Sequence, residues 1–84
     1  MEKEETRVAV LAIILEDISV AGQVNEILHE YNDAVIGRMG IPYREKGLSI
    51  ISIALDAPQN VINTLAGKIG RIESVTAKTV TSQK

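Results

Sequence analysis

Cysteine, tryptophan and phenylalanine are absent from this chain, and histidine occurs once, at His29. Without cysteine there can be no disulfide, no thiolate metal site and no cysteine nucleophile. A nickel or zinc site needs several converging donors, and a single histidine does not supply them. No metal and no cofactor are expected. No apolar run approaches the ~20 residues that span a bilayer. The opening "MEKEET" is charged and lacks the apolar core of a signal peptide. A cytoplasmic protein without membrane contact is therefore expected. Net charge is −2, and the basic residues Arg38, Arg44, Lys46, Lys68, Arg71 and Lys78 are scattered. With no basic stripe, direct binding of nucleic acid is not expected.

What is present is aliphatic. Of the 84 residues, 45% are hydrophobic, so the core must be built from Ile, Val, Leu and Ala. The length fits one domain, residues 1–84, with an ordered core of about 6–80. A chain this short buries only about 60% of its unfolded surface, and burial between subunits would add to its stability. "TRVAVLAIIL" (6–15) is apolar at almost every position and predicts a strand buried on both faces. Val20, Val24, Ile27, Leu28 and Tyr31 form one helical stripe over 19–31, with Ser19 as its cap. "AVIGRMGI" predicts a second strand whose glycines suggest a bulge. "PYREKG" predicts a turn opened by Pro42 and closed by Gly47. "LSIISIAL" is a third strand. "DAPQNVINTLAGKIG" is a second helix, capped by Asp56, with Pro58 in its first turn and Gly70 at its end. "RIESVTAKTV" is the last strand, and "TSQK" should fray.

The order strand, helix, strand, strand, helix, strand, with right-handed crossovers, gives an α+β, ferredoxin-like βαββαβ fold. Its four-stranded antiparallel sheet carries both helices on one face. Strand periodicity divides the side chains between the faces. Leu11, Ile13, Leu15, Val35, Met39, Ile51, Ile53 and Leu55 are assigned to the helix side. Val10, Ile14, Ile36, Arg38, Ile50 and Ser52 are assigned to the open side. An apolar patch of this kind on a small domain marks an association surface, so a homo-oligomer is expected, a dimer or a dimer of dimers.

No catalytic constellation stands out. Base-stacking aromatics of RNA-binding sheets are missing from "GLSIISIAL", and no strand-to-helix glycine loop is present to cradle phosphate. Glu16 and Asp17 are adjacent, and neighbours in sequence point apart. Their expected role is to start the first helix, where negative charge is favoured. If two subunits meet beside this loop, Asp17, Ile18 and Ser19 would line a small-molecule effector site, with free helix-start N–H groups suited to an anion. The expected function is a non-enzymatic regulatory or sensor domain. The alternative is a protein–protein interaction subunit without a small ligand, docking on another protein partner.

Residues 6–80 resemble an ACT-like regulatory domain. That likeness implies effector binding at the first strand–helix loop through an Asp-x-x-Gly pattern. Here Asp17 is in place, position 20 is Val, and the glycine comes at Gly22. "RVAVLAIILED", "VIGRMGIPYREKGLSIISIALDAP" and "IESVTAKTV" resemble the iron-only hydrogenase system regulators. Those are similar to the metal-sensing half of the nickel-responsive regulator. The resemblance implies a regulatory role. The nickel ligands of that regulator have no counterpart here, and with only "MEKEE" ahead of the first strand its DNA-binding arm is expected to be missing too.

Overall fold

The computed structural model describes residues 5–83. The N-terminal residues 1–4 and Lys84, which include most of the segment judged not to be a signal peptide and the last residue of the expected frayed tail, lie outside the described residues. Four strands alternate with two helices: β1 (Arg7–Leu15), α1 (Ala21–Glu30), β2 (Val35–Tyr43), β3 (Leu48–Ala57), α2 (Gln59–Gly70) and β4 (Val75–Thr81). The sheet order is β2-β3-β1-β4, every pairing antiparallel. This is the expected ferredoxin-like arrangement, with the two most apolar strands at its centre.

Period-two alternation in β1 and β3 places Leu11, Ile13, Leu15, Ile51, Ile53 and Leu55 under the helices, all buried. Val24 and Leu28 of α1 and Leu65 and Ile69 of α2 close the core over them. Ala9, Ala57 and Ile62 form a smaller cluster at the other end. The helices are tied by Lys68, whose ammonium lies 5.2 Å from the centre of the Tyr31 ring and 3.7 Å from the Glu30 carboxylate. No helix among the described residues is long and apolar enough to cross a membrane.

Several local expectations are corrected. Asp17, not Ser19, caps the entry to the first helix: it is the last extended residue (φ −135°, ψ 112°), and its carboxylate accepts the Ser19 N–H at 2.9 Å. The chain turns first through a tight 3-10 turn, Ile18–Val20, so Ser19 is already inside the turn and cannot stand ahead of it. Asp56 is not a cap either; it stays in the ladder opposite Val8. Helix α2 begins instead at Pro58, whose carbonyl accepts the N–H groups of Val61 and Ile62.

The turn after β2 is shorter than expected. Pro42 and Tyr43 remain in the strand, opposite Ser49 and Leu48. Pro42 is tolerated because β2 is an edge strand with one unpaired side. Only residues 44–46 turn, and Gly47 closes the turn at φ +66°, a left-handed conformation suited to glycine. Strand β4 starts at Val75, after residues 71–74 have made the connection. Thr81, expected to fray, lies in β4, and the Ser82 N–H donates to the Val8 carbonyl at 2.8 Å.

The largest departure is in β2. Between Val35, opposite Leu55, and Gly37, opposite Ala54, the ladder carries one extra residue, Ile36. Beyond this bulge the side-chain phase is reversed relative to an unbroken strand. Arg38 therefore falls opposite Ile53 and joins the helix side, while Met39 falls opposite Ser52 and joins the open side. Both were assigned the other way from periodicity alone.

Candidate functional site

The open face of the sheet is built row by row from the strand registers. Ile41, Ile50, Ile14 and Thr76 form one row across β2, β3, β1 and β4. The next row is Met39, Ser52, Ala12 and Lys78. The third is Gly37, Ala54, Val10 and Val80, with Ile36 beside Gly37 in the bulge. Neighbours in a row are about 5 Å apart, so Ile41, Ile50 and Ile14 form a continuous apolar band, while Ser52, Thr76 and Lys78 add polar members. Val10 and Ile14 are each 41% exposed and Ile50 37%, in the middle of the sheet where a second layer would cover them. Strand β1, expected to be buried on both faces, is buried on one only within this chain, because both helices pack on the same side. Among the strand residues of the open face, only Asp56 and Lys78 carry charge.

A second feature lies on the helix side. The helices cover β1 and β3 but leave β2 bare, so a groove runs between α1 and the edge of the sheet. It holds two cavities, of about 270 Å³ and 240 Å³, that share Asn25 and Arg38 in their walls. Arg38 reaches from β2 to α1, and its Nη2 donates to Asn25 Oδ1 at 2.8 Å. The larger cavity adds His29 from α1 and Asn32 from the 3-10 turn that follows it, over a floor of Leu28, Val35 and Ile53. Asn25 and His29, at i and i+4, share one edge of the helix, and Asn32 follows in the 3-10 turn 32–34. That spacing was present in the sequence, alongside the apolar stripe; its meaning depended on Arg38 facing the helix, which only the bulge reveals.

Asp17, Ile18 and Ser19 line neither cavity. Ser19 holds the Asp17 carboxyl below the usual carboxylate range, through its side chain first and its backbone N–H second. A depressed carboxyl stabilises the fold above its unfolded value of about pH 3.9, and that contribution disappears as pH falls through the lower folded value. Asp17→Asn keeps an acceptor for the cap but cannot titrate. Urea midpoints measured from pH 5 downward are expected to fall less steeply for the variant than for the parent below about pH 4.

Among the described residues no group of three or more His, Cys, Asp or Glu is placed to hold a metal. Of the residues assigned to the open face from sequence, Val10, Ile14, Ile36, Ile50 and Ser52 lie there, and Arg38 does not. Met39, Ile41, Tyr43 and Val80 are exposed apolar or aromatic members that the open-face assignment had left out.

No curated protein matches the sequence. Among solved structures, the uncharacterized protein TM1266 from Thermotoga maritima is 38% identical, with a TM-score of 0.90, over 94% of this chain and 100% of that one. Residues 7–79 match a family described as "Iron-only hydrogenase system regulator, putative". The chain belongs to this TM1266-like family.

Proposed function

We propose that the protein is a non-enzymatic regulatory module that acts as a homo-oligomer, joined through the open faces of its sheets. The observation that carries this is the apolar centre of that face, Ile14, Ile41, Ile50, Met39 and Val10, which no layer among the described residues covers. A second copy is the occupant that fits. Its face has the same apolar centre, and with one acid and one base the surface is neutral, so like copies do not repel. Four strands about 4.8 Å apart and some 30 Å long present roughly 600 Å². Two such faces bury about 1,200 Å², the lower bound of specific interfaces. The family's description as a regulator supports the non-enzymatic part of this reading. Regulation then works through contact and assembly.

Sedimentation equilibrium across a dilution series tests the reading. The expected mass is a small multiple of 9.1 kDa, falling toward one copy on dilution. A protein that remains a monomer at every concentration overturns the reading.

A further inference from the structure

The groove between α1 and β2 lies on the opposite side of the sheet from the association face. Arg38 stands at its centre. The guanidinium has five N–H donors, and among the described residues its one hydrogen bond is to Asn25 Oδ1 at 2.8 Å. It makes no ion pair among the described residues. The Asn25 bond fixes the orientation of the fork, which leaves further donors for an incoming acceptor. Planar carboxylates match such a fork with two parallel hydrogen bonds. On one side of Arg38 the Asn32 and His29 side chains add polar groups. On the other, the helix-side residues Leu15, Ala21, Pro42 and Ile51 give the second cavity an apolar part, a slot beside the charge, with Ser49 as a polar member; Ile41 and Ile50, whose register places them on the open face, border it at the sheet edge.

No Asp or Glu lines either cavity. A bound ammonium group would meet Arg38 and no counter-charge, which disfavours it. Cavities of 270 and 240 Å³ fall below the range of about 300–1,000 Å³ typical of drug-sized ligands, so the ligand is short. We propose that this groove binds a small aliphatic carboxylate lacking an amino group, its carboxylate held by Arg38 and its apolar tail in the slot against Pro42 and Ile51. This gives the regulatory module an effector. It rests on the regulatory reading only for its biological role: binding can fail while association stands, and the reverse.

Titration of the ¹⁵N-labelled full chain, followed by amide shifts, tests it with four probes: isocaproate, isohexanol, leucine and inorganic phosphate. Isocaproate is expected to give saturable shifts at Asn25, Arg38 and Gly40, with affinity at least about tenfold (~1.4 kcal/mol) above the other three. Arg38→Gln is expected to lose that advantage with the rest of the spectrum unchanged, and Arg38→Lys to keep part of it. Isocaproate shifts absent into the millimolar range, or located away from the groove, overturn the proposal. So does equal binding of leucine, which would remove the case against an amine. Equal binding of phosphate would remove the apolar slot from recognition, and equal binding of isohexanol would remove Arg38; either result also overturns it.

Discussion

Ile50→Glu is expected to convert the associated protein to monomers while leaving the secondary structure intact. Ile50 sits between Ile41 and Ile14 in the central row of the open face. In the monomer a glutamate there is solvated, and exposed substitutions of this kind usually change stability by only about 0.5 kcal/mol. In the assembly the same carboxylate is buried without a partner, twice per two-fold interface. An uncompensated buried charge costs about 3–5 kcal/mol. Even one such penalty of about 4 kcal/mol raises Kd roughly a thousandfold. Light scattering after size exclusion, with circular dichroism alongside, measures both halves of this expectation. Ile41→Glu is expected to behave similarly, because the bulge turns Ile41 onto the same face. Arg38→Glu is expected to leave association unchanged, because the bulge turns Arg38 away. If Arg38→Glu dissociates the protein and Ile41→Glu does not, the association surface has been placed on the wrong side of β2.

Leu11→Ala is expected to be the most destabilising single truncation of the two central strands. Leu11 is 1% exposed, lies mid-strand in β1, and is flanked by Ile53 and Thr79 in the sheet. Removing a buried leucine leaves both a transfer loss and a cavity, together about 3–5 kcal/mol. Against a total of roughly 4–12 kcal/mol for a domain of this size, that is a large share of the stability. Urea unfolding should show a much lower midpoint at an unchanged slope. A loss below about 1 kcal/mol would mean that the sheet–helix core is not packed as described.

How much of this was legible in advance differs by element. β1 and β3 keep a strict period of two with large aliphatics on one phase, and α1 and α2 each carry one stripe. Element order, sheet order and the buried set followed from those patterns. Strand β2 was different. "VIGRMGIP" has apolar residues on both phases, so periodicity alone could not show that Ile36 is an extra residue. The glycines hinted at a bulge without fixing its position. That one residue decides whether Arg38 belongs to the association surface or to the groove, which is why the groove was invisible in the sequence. The helix caps failed for a related reason. Ser19 and Asp56 are good capping residues, but the strand before Asp56 runs longer than its apolar core, and the turn holding Ser19 begins earlier than the apolar stripe. The last extended residue is set by pairing across the sheet: Glu16 N–H to the Ser74 carbonyl at 2.8 Å, and Asp56 opposite Val8.

The exposed border of β2 bears on how far assembly can proceed. An open strand margin is a template on which further chains can add in register without limit, and that is the route to fibrils. Here the margin is interrupted near one end by the Ile36 bulge, which increases twist, and near the other by Pro42, which offers no N–H. Lateral addition along β2 is thereby disfavoured; the other edge of the sheet is β4. Under two-fold symmetry a face is consumed once by each copy. In an assembly joined through the open face as proposed, the irregularity that re-aims Arg38 and Met39 would also disfavour further strand addition at the β2 edge.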